Sequence, residues 1–305
     1  MQTYDNTTSR PEKQVTAAIG FFDGVHLGHR CLINQVIEEA ADTDSLPGIV
    51  TFPVHPSKVL GVRTCPKMLT TLDERLSLLK DSGIQACILL PFTTELSMMN
   101  ARDFMQMLIE QYNVTTLIIG YDHRFGHNRS EGFDDYLSYG RELGIKVVRA
   151  REYTDSSTPD VGSTAIRRLL GEGDVKAAAR LLGYYYPLRG RVVHGRGEGR
   201  KLGFPTANIQ PDSEKLIPLD GVYSADVVID ETKLRGVLNI GTRPTLANGS
   251  DRSIEVHIIG YDNDIYGKEI TIQFLRRLRA EKKFNSLGEL KAQIDRDIEK
   301  AQKDF

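Results

Sequence analysis

The chain has 305 residues, with 39 Lys and Arg against 41 Asp and Glu and a net charge of -2, so no global basic field calls for nucleic acid and any anionic ligand must be held by local groups. Its cysteines, Cys31, Cys65 and Cys87, form no C-x-x-C pair, which argues against a disulfide scaffold or zinc ribbon and fits small core residues in a reducing cytoplasm. The polar stretch Met1–Glu12 lacks the apolar core of a signal peptide, and nowhere do about 18 apolar residues run together to span a bilayer. The 40% hydrophobic content supports two packed domains, and a globular cytosolic protein with neither nucleic acid nor membrane as partner is expected.

From Val15 to Arg149 strand patterns alternate with helical ones. Short aliphatic or β-branched runs predict strands at Val15–Phe22, Gly48–Phe52, Ala86–Leu90, Val114–Gly120 and Lys146–Val148. Helical spacing predicts Cys31–Ala41, Leu72–Asp81 behind a Thr71 cap, Ala101–Tyr112 and Gly132–Leu143. Such alternation implies right-handed βαβ units, hence a Rossmann-like parallel sheet covered on both faces, with ligands beyond the strands' carboxyl ends.

The polar punctuation falls at those ends. After the first strand comes Gly20-Phe21-Phe22-Asp23-Gly24-Val25-His26-Leu27-Gly28-His29-Arg30, a glycine-bearing turn into a helix, where unpaired N–H groups and the helix dipole favour phosphate. After the second comes Thr51-Phe52-Pro53-Val54-His55-Pro56, and after the fourth Gly120-Tyr121-Asp122-His123-Arg124-Phe125-Gly126-His127-Asn128-Arg129. A fourth cluster, Gly162-Ser163-Thr164-Ala165-Ile166-Arg167, reads as a capped helix start with an arginine one turn inside, able to grip phosphate oxygens. Singly, each has a plainer reading: a solvated histidine pair, a strand end, a surface ion pair of Asp122 and Arg124, an N-cap. Zinc at His26 and His29 lacks a third ligand at suitable spacing. Their joint placement at one sheet edge favours function.

Together these residues resemble the adenylyltransferase half of the prokaryotic bifunctional riboflavin kinase and FAD synthetase family, whose G-x-F-D-G-x-H-x-G-H-R, T-F-x-x-H-P, G-x-D-x-R-F-G-x-x-R and S-T-x-x-R patterns fall here in order. The chain departs from the family at Gly162, Ala165 and Ser57. The resemblance implies transfer of AMP from ATP to FMN, with catalytic His26, His29 and Arg167. It implies ATP or phosphate contacts from Gly20, Phe22, Asp23, Gly24, Gly28, Ser163 and Thr164, with Asp23 holding the turn or a Mg²⁺ water shell. Flavin contacts are implied for His55, Pro56, Asp122, Phe125, Asn128 and Arg129.

After two further helices, Thr164–Leu170 and Val175–Leu182, the pattern changes. Gly183–Pro187 reads as a linker, and strands at Leu188–Val193, Gly221–Val228, Leu234–Ile240, Ser253–Ile259 and Glu269–Leu275 suggest an antiparallel barrel or sandwich. A last helix, about Ser286–Gln302, aligns Leu287, Leu290, Ile294, Ile298 and Ala301 on one face. Between the first two of these strands lies a glycine-rich basic stretch, Gly195 to Lys201, without a Walker pattern but able to close on polyphosphate. A mobile solvent loop is its equal on composition. It leads to Pro205-Thr206-Ala207-Asn208, whose two oxygen donors would face one side of an extended strand and suit Mg²⁺.

This half resembles the same family's riboflavin kinase module at Gly203–Asn208, Asn239–Thr245, Glu255–His257 and Arg279–Phe284. The resemblance implies Mg²⁺ on Thr206 and Asn208, Glu255 as base toward the ribityl hydroxyl, ATP contacts from Gly195, Arg200 and Lys201, and a flavin contact from Arg279. The expected architecture is an adenylyltransferase domain over 1–182 and a riboflavin kinase domain over 183–305, acting on riboflavin, FMN and ATP. Two other readings remain: a related adenylyltransferase, of nicotinamide mononucleotide for example, with an unrelated second domain, and a flavin-binding sensor without turnover.

Overall fold

A computed structural model describes residues 1–61, 65–121, 123–127, 130–156, 161–195, 199, 202–243 and 251–303. Two compact units are present, Met1–Val161 and Gly162–Phe305.

The first unit is built on a sheet of β1 (Gln2–Tyr4), β2 (Val15–Ile19), β3 (Leu46–Thr51), β4 (Ala86–Leu89), β5 (Val114–Ile119) and β6 (Lys146–Arg149), in the spatial order β1-β4-β3-β2-β5-β6. Every pairing is parallel. The helices are α1 (Leu27–Asp42), α2 (Pro56–Val59), α3 (Leu72–Asp81), α4 (Thr94–Met98), α5 (Ala101–Tyr112) and α6 (Phe133–Leu143). Side chains alternate along each strand, so Ala17, Ile19, Val50, Leu117 and Ile119 pack beneath α5 and α6, while Ala18, Ile49 and Ile118 pack under α1 and α3. Burial on both faces explains why the strands read as unbroken apolar runs. β2 has β3 on one side and β5 on the other, and the chain winds away in opposite directions from there. That is the switch point where a doubly wound sheet opens a crevice. The edge strand β1 was not expected, because three residues are too few to carry a periodic signal.

The second unit begins with α7 (Ser163–Glu172) and α8 (Val175–Leu182), followed by β7 (Pro187–Val193), β8 (Ala207–Pro211), β9 (Gly221–Ile229), β10 (Thr232–Arg243), β11 (Asp251–Ile258), β12 (Glu269–Arg279) and α9 (Leu287–Gln302). The strands close into an antiparallel barrel ordered β10-β11-β8-β7-β12-β9. Alternate residues such as Leu188, Ile209, Val227, Leu238, Ile240, Ile254, Val256, Ile272 and Phe274 are buried. α7 joins this unit through the Leu219 N–H donating to the Leu170 carbonyl at 2.9 Å.

Some local expectations are corrected. Gly183–Pro187 connects α8 to β7 and is anchored within: Tyr185 is exposed, but Tyr186 is fully buried, its hydroxyl donates to the Leu216 carbonyl at 2.7 Å, and Pro187 opens β7. Leu287, placed on the inner face of the last helix by its spacing, is 70% exposed, while Asp297 on the same helix is buried against Arg279. The rest of the stripe packs as expected, with Ala301 buried and Ile298 against Val222 and Val237, and Asp297 pairs with Arg279 at 2.8 Å beside it. Of the cysteines only Cys87 is buried; Cys31 and Cys65 are half-exposed.

Candidate active sites

In the first unit the Gly20–Arg30 turn lies past the end of β2, at the switch point. Its backbone is tightly wound: Phe22, Gly24 and Val25 take φ of 56°, 82° and 37°. Glycine accepts such a conformation freely, whereas for β-branched Val25 it is strained. The strain is held by a buried carboxylate. Asp23 accepts from the Leu69 and Thr70 N–H groups at 3.0 Å each and from the Thr70 hydroxyl, which also accepts from Gly24 N–H at 3.1 Å. Asp23 thus ties the turn to the segment ahead of α3.

His26 caps α1. Its Nδ1 accepts from the His29 N–H at 3.3 Å, so the proton of the neutral ring resides on Nε2. The two rings stack with centroids 3.7 Å apart, and Phe22 lies 5.1 Å from His29. Among the described residues the Nδ1 of His29 is buried without a hydrogen-bond partner. Burial, then the neighbouring His26 and Arg75, hold the His29 pKa well below the ordinary imidazole value. A side chain at Gly28 would press on the His26 ring at 3.3 Å. His29, its charged form disfavoured at a helix N-terminus, is suited to receive phosphate, because an arriving anion favours its protonation.

His55 repeats the arrangement after β3. It caps α2 by accepting from the Ser57 N–H at 3.2 Å, and its ring meets the edge of Phe21 at 4.7 Å. Ser57, a departure from the family pattern, therefore contributes its backbone, and Pro56 supplies the first helical residue. Phe125 is 8% exposed, stacked on Tyr136 at 4.2 Å and beside Phe104 at 5.6 Å, so the described structure places it in the core. Gly126, at φ 90°, leaves room for Ala101 and Glu131. Asp122, Asn128 and Arg129 lie outside the described residues.

Ser163, Thr164 and Arg167 lie in the first two turns of α7, in the second unit. The capped start expected there takes another form: Gly162 is the N-cap and offers no side-chain cap, so Ser163 and Thr164 are the first helical residues themselves.

Sequence reasoning missed Arg75. On α3 and 1% exposed, it donates to the Phe21 carbonyl at 2.9 Å and the Phe52 carbonyl at 2.6 Å, with its guanidinium 4.1 Å from the Phe21 ring centroid. Burial lowers its pKa to about 10, against the opposing influence of Asp23 and Cys87. In sequence it reads as one more polar position on an amphipathic helix.

In the second unit strand register assembles the polar residues. Glu255 on β11 stands opposite Asn208 on β8 and opposite Asn239 on β10. Directly paired residues share a face, so Asn208, Glu255 and Asn239 form a row across three strands, alternating with buried Ile254 and Val256. Thr206, just ahead of β8, donates weakly to Glu255 Oε2 at 3.5 Å. Gly195 lies against the Asn208 amide so closely that a Cβ there would overlap it, and a Cβ at Gly199 would meet the Thr206 hydroxyl at 3.1 Å. The described glycines of the stretch, Gly195 and Gly199, therefore pack on the two predicted oxygen donors. Arg200 and Lys201 lie outside the described residues. Arg279 is held by Asp297 at 2.8 Å and donates to the Ala280 carbonyl at 3.1 Å.

Beside Thr206 opens a cavity of about 280 Å³, lined by Val192, Ala207, Val256, Ile258 and the segment Tyr261–Tyr266. The Tyr266 ring stacks on His194 at 4.0 Å. The Tyr261–Tyr266 wall was not anticipated; nothing in its composition distinguishes it from an ordinary turn.

A parallel sheet with an anion-receiving turn at its switch point, followed by a closed barrel carrying oxygen donors beside a carboxylate, defines a two-unit nucleotide-dependent transferase. Residues 8–165 match the family model for FAD synthetase, and residues 182–305 match that for riboflavin kinase. A bifunctional riboflavin kinase/FMN adenylyltransferase of Escherichia coli (strain K12) is 35% identical over 96% of this chain and 93% of its own. The protein of the same description from Bacillus subtilis (strain 168) is 32% identical, over 93% and 90%. A crystal structure from Streptococcus pneumoniae, described as a macrolide-efflux protein, matches with a TM-score of 0.90 and 29% identity over 98% of both chains. The chain belongs to the bifunctional riboflavin kinase/FMN adenylyltransferase family.

Proposed function

We infer that the chain makes both flavin coenzymes. In the barrel the γ-phosphoryl group of ATP passes to the ribityl 5′-hydroxyl of riboflavin, giving FMN and ADP. Over residues 1–182 the FMN phosphate attacks the α-phosphorus of a second ATP, giving FAD and pyrophosphate. The observation that carries the reading is the row of Asn208, Glu255 and Asn239 with Thr206 beside Glu255, because a sensor needs no carboxylate base next to metal-ligating oxygens.

For the kinase step, Glu255 takes the hydroxyl proton as the new O–P bond forms. Thr206 and Asn208 present neutral oxygens, the donor type Mg²⁺ accepts when phosphates complete its shell, and the metal supplies neutralisation of the transferring phosphoryl group. The apolar wall of Val192, Val256 and Ile258 suits a purine within reach of Thr206. Gly195, with Arg200 and Lys201, belongs to the stretch assigned to the triphosphate. Arg279, with its guanidinium set by Asp297, is assigned to flavin.

For adenylyl transfer no protein nucleophile is needed; positioning and positive potential suffice. His26 and His29 are assigned to ATP phosphates, Asp23 to holding their turn, and Gly20, Phe22, Gly24 and Gly28 to its shape. Ser163, Thr164 and Arg167 are assigned to the leaving pyrophosphate. His55, Pro56, Asp122, Asn128 and Arg129 are assigned to FMN, with Phe125 supporting their loop from the core. The division of labour runs at residue 182: adenylyl transfer by 1–182, phosphorylation by 183–305, in the cytoplasm.

Incubation with riboflavin, ATP and Mg²⁺ followed by chromatography tests the whole reading. FMN and then FAD are expected. Absence of both products rejects it, and FMN without FAD confines the reading to the barrel.

A further inference from the structure

The two histidine-capped turns of the first unit, Gly20–Arg30 after β2 and Thr51–Pro56 after β3, leave the sheet side by side, and past the strand ends the backbone ladder no longer sets their spacing. Gly20 makes the last cross-strand backbone bond, donating to the Val50 carbonyl at 3.0 Å. Beyond it, the Phe21 and Phe52 carbonyls both accept from the same guanidinium, that of Arg75, at 2.9 and 2.6 Å. Thr51 Oγ1 adds a contact to the Phe21 carbonyl at 3.2 Å. The guanidinium also covers the Phe21 ring, whose edge meets His55.

We propose that Arg75 is a positioning residue for adenylyl transfer, whose planar fork fixes the turn bearing His26 and His29 relative to the turn bearing His55. This rests on the assignment of those histidines to ATP and FMN. A rigid fork with donors at a fixed separation can span two carbonyls, which a lysine ammonium on a flexible stem does not. The choice is costly: a cation 1% exposed, with no carboxylate hydrogen-bonded to it among the described residues, gives up most of its hydration. A simple structural tie between two carbonyls would be met by a neutral amide. A buried cation adds positive potential where phosphate charge develops, and it disfavours the charged form of His29 until an anion arrives. The charged and titratable groups around His29 are His26 on its own turn and Arg75 from α3; Asp23, from the turn, and Cys87, from β4, act on Arg75 in turn.

The full-length protein is compared as R75M, R75K and H29A, with FAD formation from supplied FMN and ATP read separately from FMN formation by the same sample. For R75M the kcat of FAD formation should fall on the order of 10²-fold, the cost of displacing reacting groups by about 1 Å. R75K should lie between R75M and the parent, because it keeps the charge and one hydrogen bond. The loss should be in kcat more than in KM for ATP, since ground-state binding needs less exact placement. FMN formation should be unchanged in all three. The His29 ring pKa, followed by proton NMR, should rise in R75M and hold in R75K.

Parental kcat in a folded R75M, with only its melting temperature reduced, assigns Arg75 a merely structural role and overturns the proposal. If R75M does not fold, R75K decides, and parental kcat there overturns it equally. H29A at the parental rate removes the assignment of the histidines and this inference with it, whereas an inactive H29A beside fully active arginine variants sinks the inference alone.

Discussion

The two candidate sites are built by opposite means. In the barrel, Asn208, Glu255 and Asn239 come together because antiparallel register places them in one row; the backbone ladder itself sets their spacing. In the first unit the ladder ends before the chemistry begins, and His26, His29 and His55 stand on turns held by side chains from elsewhere, Asp23 to Leu69 and Thr70, and Arg75 to Phe21 and Phe52. A site set by register should tolerate loss of one member without distortion, so its variants report chemistry. A site set by buried ties should be sensitive to residues that never touch substrate.

The largest effect is expected where the contrast is sharpest. Glu255→Gln keeps the row and removes the base, so FMN formation should fall by about 10²–10⁴-fold, while FAD formation from supplied FMN is retained; chromatography of both products from one sample decides. Equal loss of both in a folded variant would contradict separate sites. His29→Ala should do the converse, with FAD formation reduced on the order of 10²–10³-fold and FMN formation intact.

The means of construction also decides what was legible in the sequence. The G-x-F-D-G-x-H-x-G-H-R stretch displays its role because turn, glycines and histidines are contiguous, and β2 before it is a plain apolar run. Thr206 and Asn208 were legible as two residues sharing one strand face. Arg75 was not, since a helix surface and a helix face turned under a strand end share the same spacing; only the fold says which carbonyls wait there. Nor was the Tyr261–Tyr266 wall of the barrel cavity, which carries no motif. Leu287 shows the same limit from the other side: it lies on the predicted apolar stripe yet is exposed, while Ala301 and Asp297 at the far end of that helix are buried.

Ties can be broken with the chemistry left in place. Asp23→Asn removes a buried carboxylate that accepts from Leu69 N–H, Thr70 N–H and the Thr70 hydroxyl, and an amide nitrogen would face one of those donors. The first unit should lose about 1.5–3 kcal/mol, the worth of hydrogen bonds to a charged group, read as an earlier transition in urea. FMN formation should persist at denaturant concentrations where FAD formation has already failed. Coincident loss of both activities would show that the units unfold as one.

The smallest effect is a pH dependence confined to the first unit. The His29 pKa lies well below the ordinary value of 6.5 through burial, His26 and Arg75. Between that depressed value and 6.5 the unfolded chain binds the proton that the folded chain refuses, so stability rises with pH across this window. The contribution is fully present above 6.5 and is lost as pH falls toward the folded value. Urea titrations of the first unit near pH 5.5 and 7.5 should show the lower midpoint at acid pH, and His29→Gln should flatten the difference. An anion seated on the imidazoles would raise that pKa, so binding of pyrophosphate near pH 6.5 should take up protons. Calorimetry in buffers of different ionisation enthalpy measures that uptake. Binding without proton uptake would mean that phosphate rests on the helix N–H groups alone, and the buried ties of the first unit would then position backbone rather than imidazole.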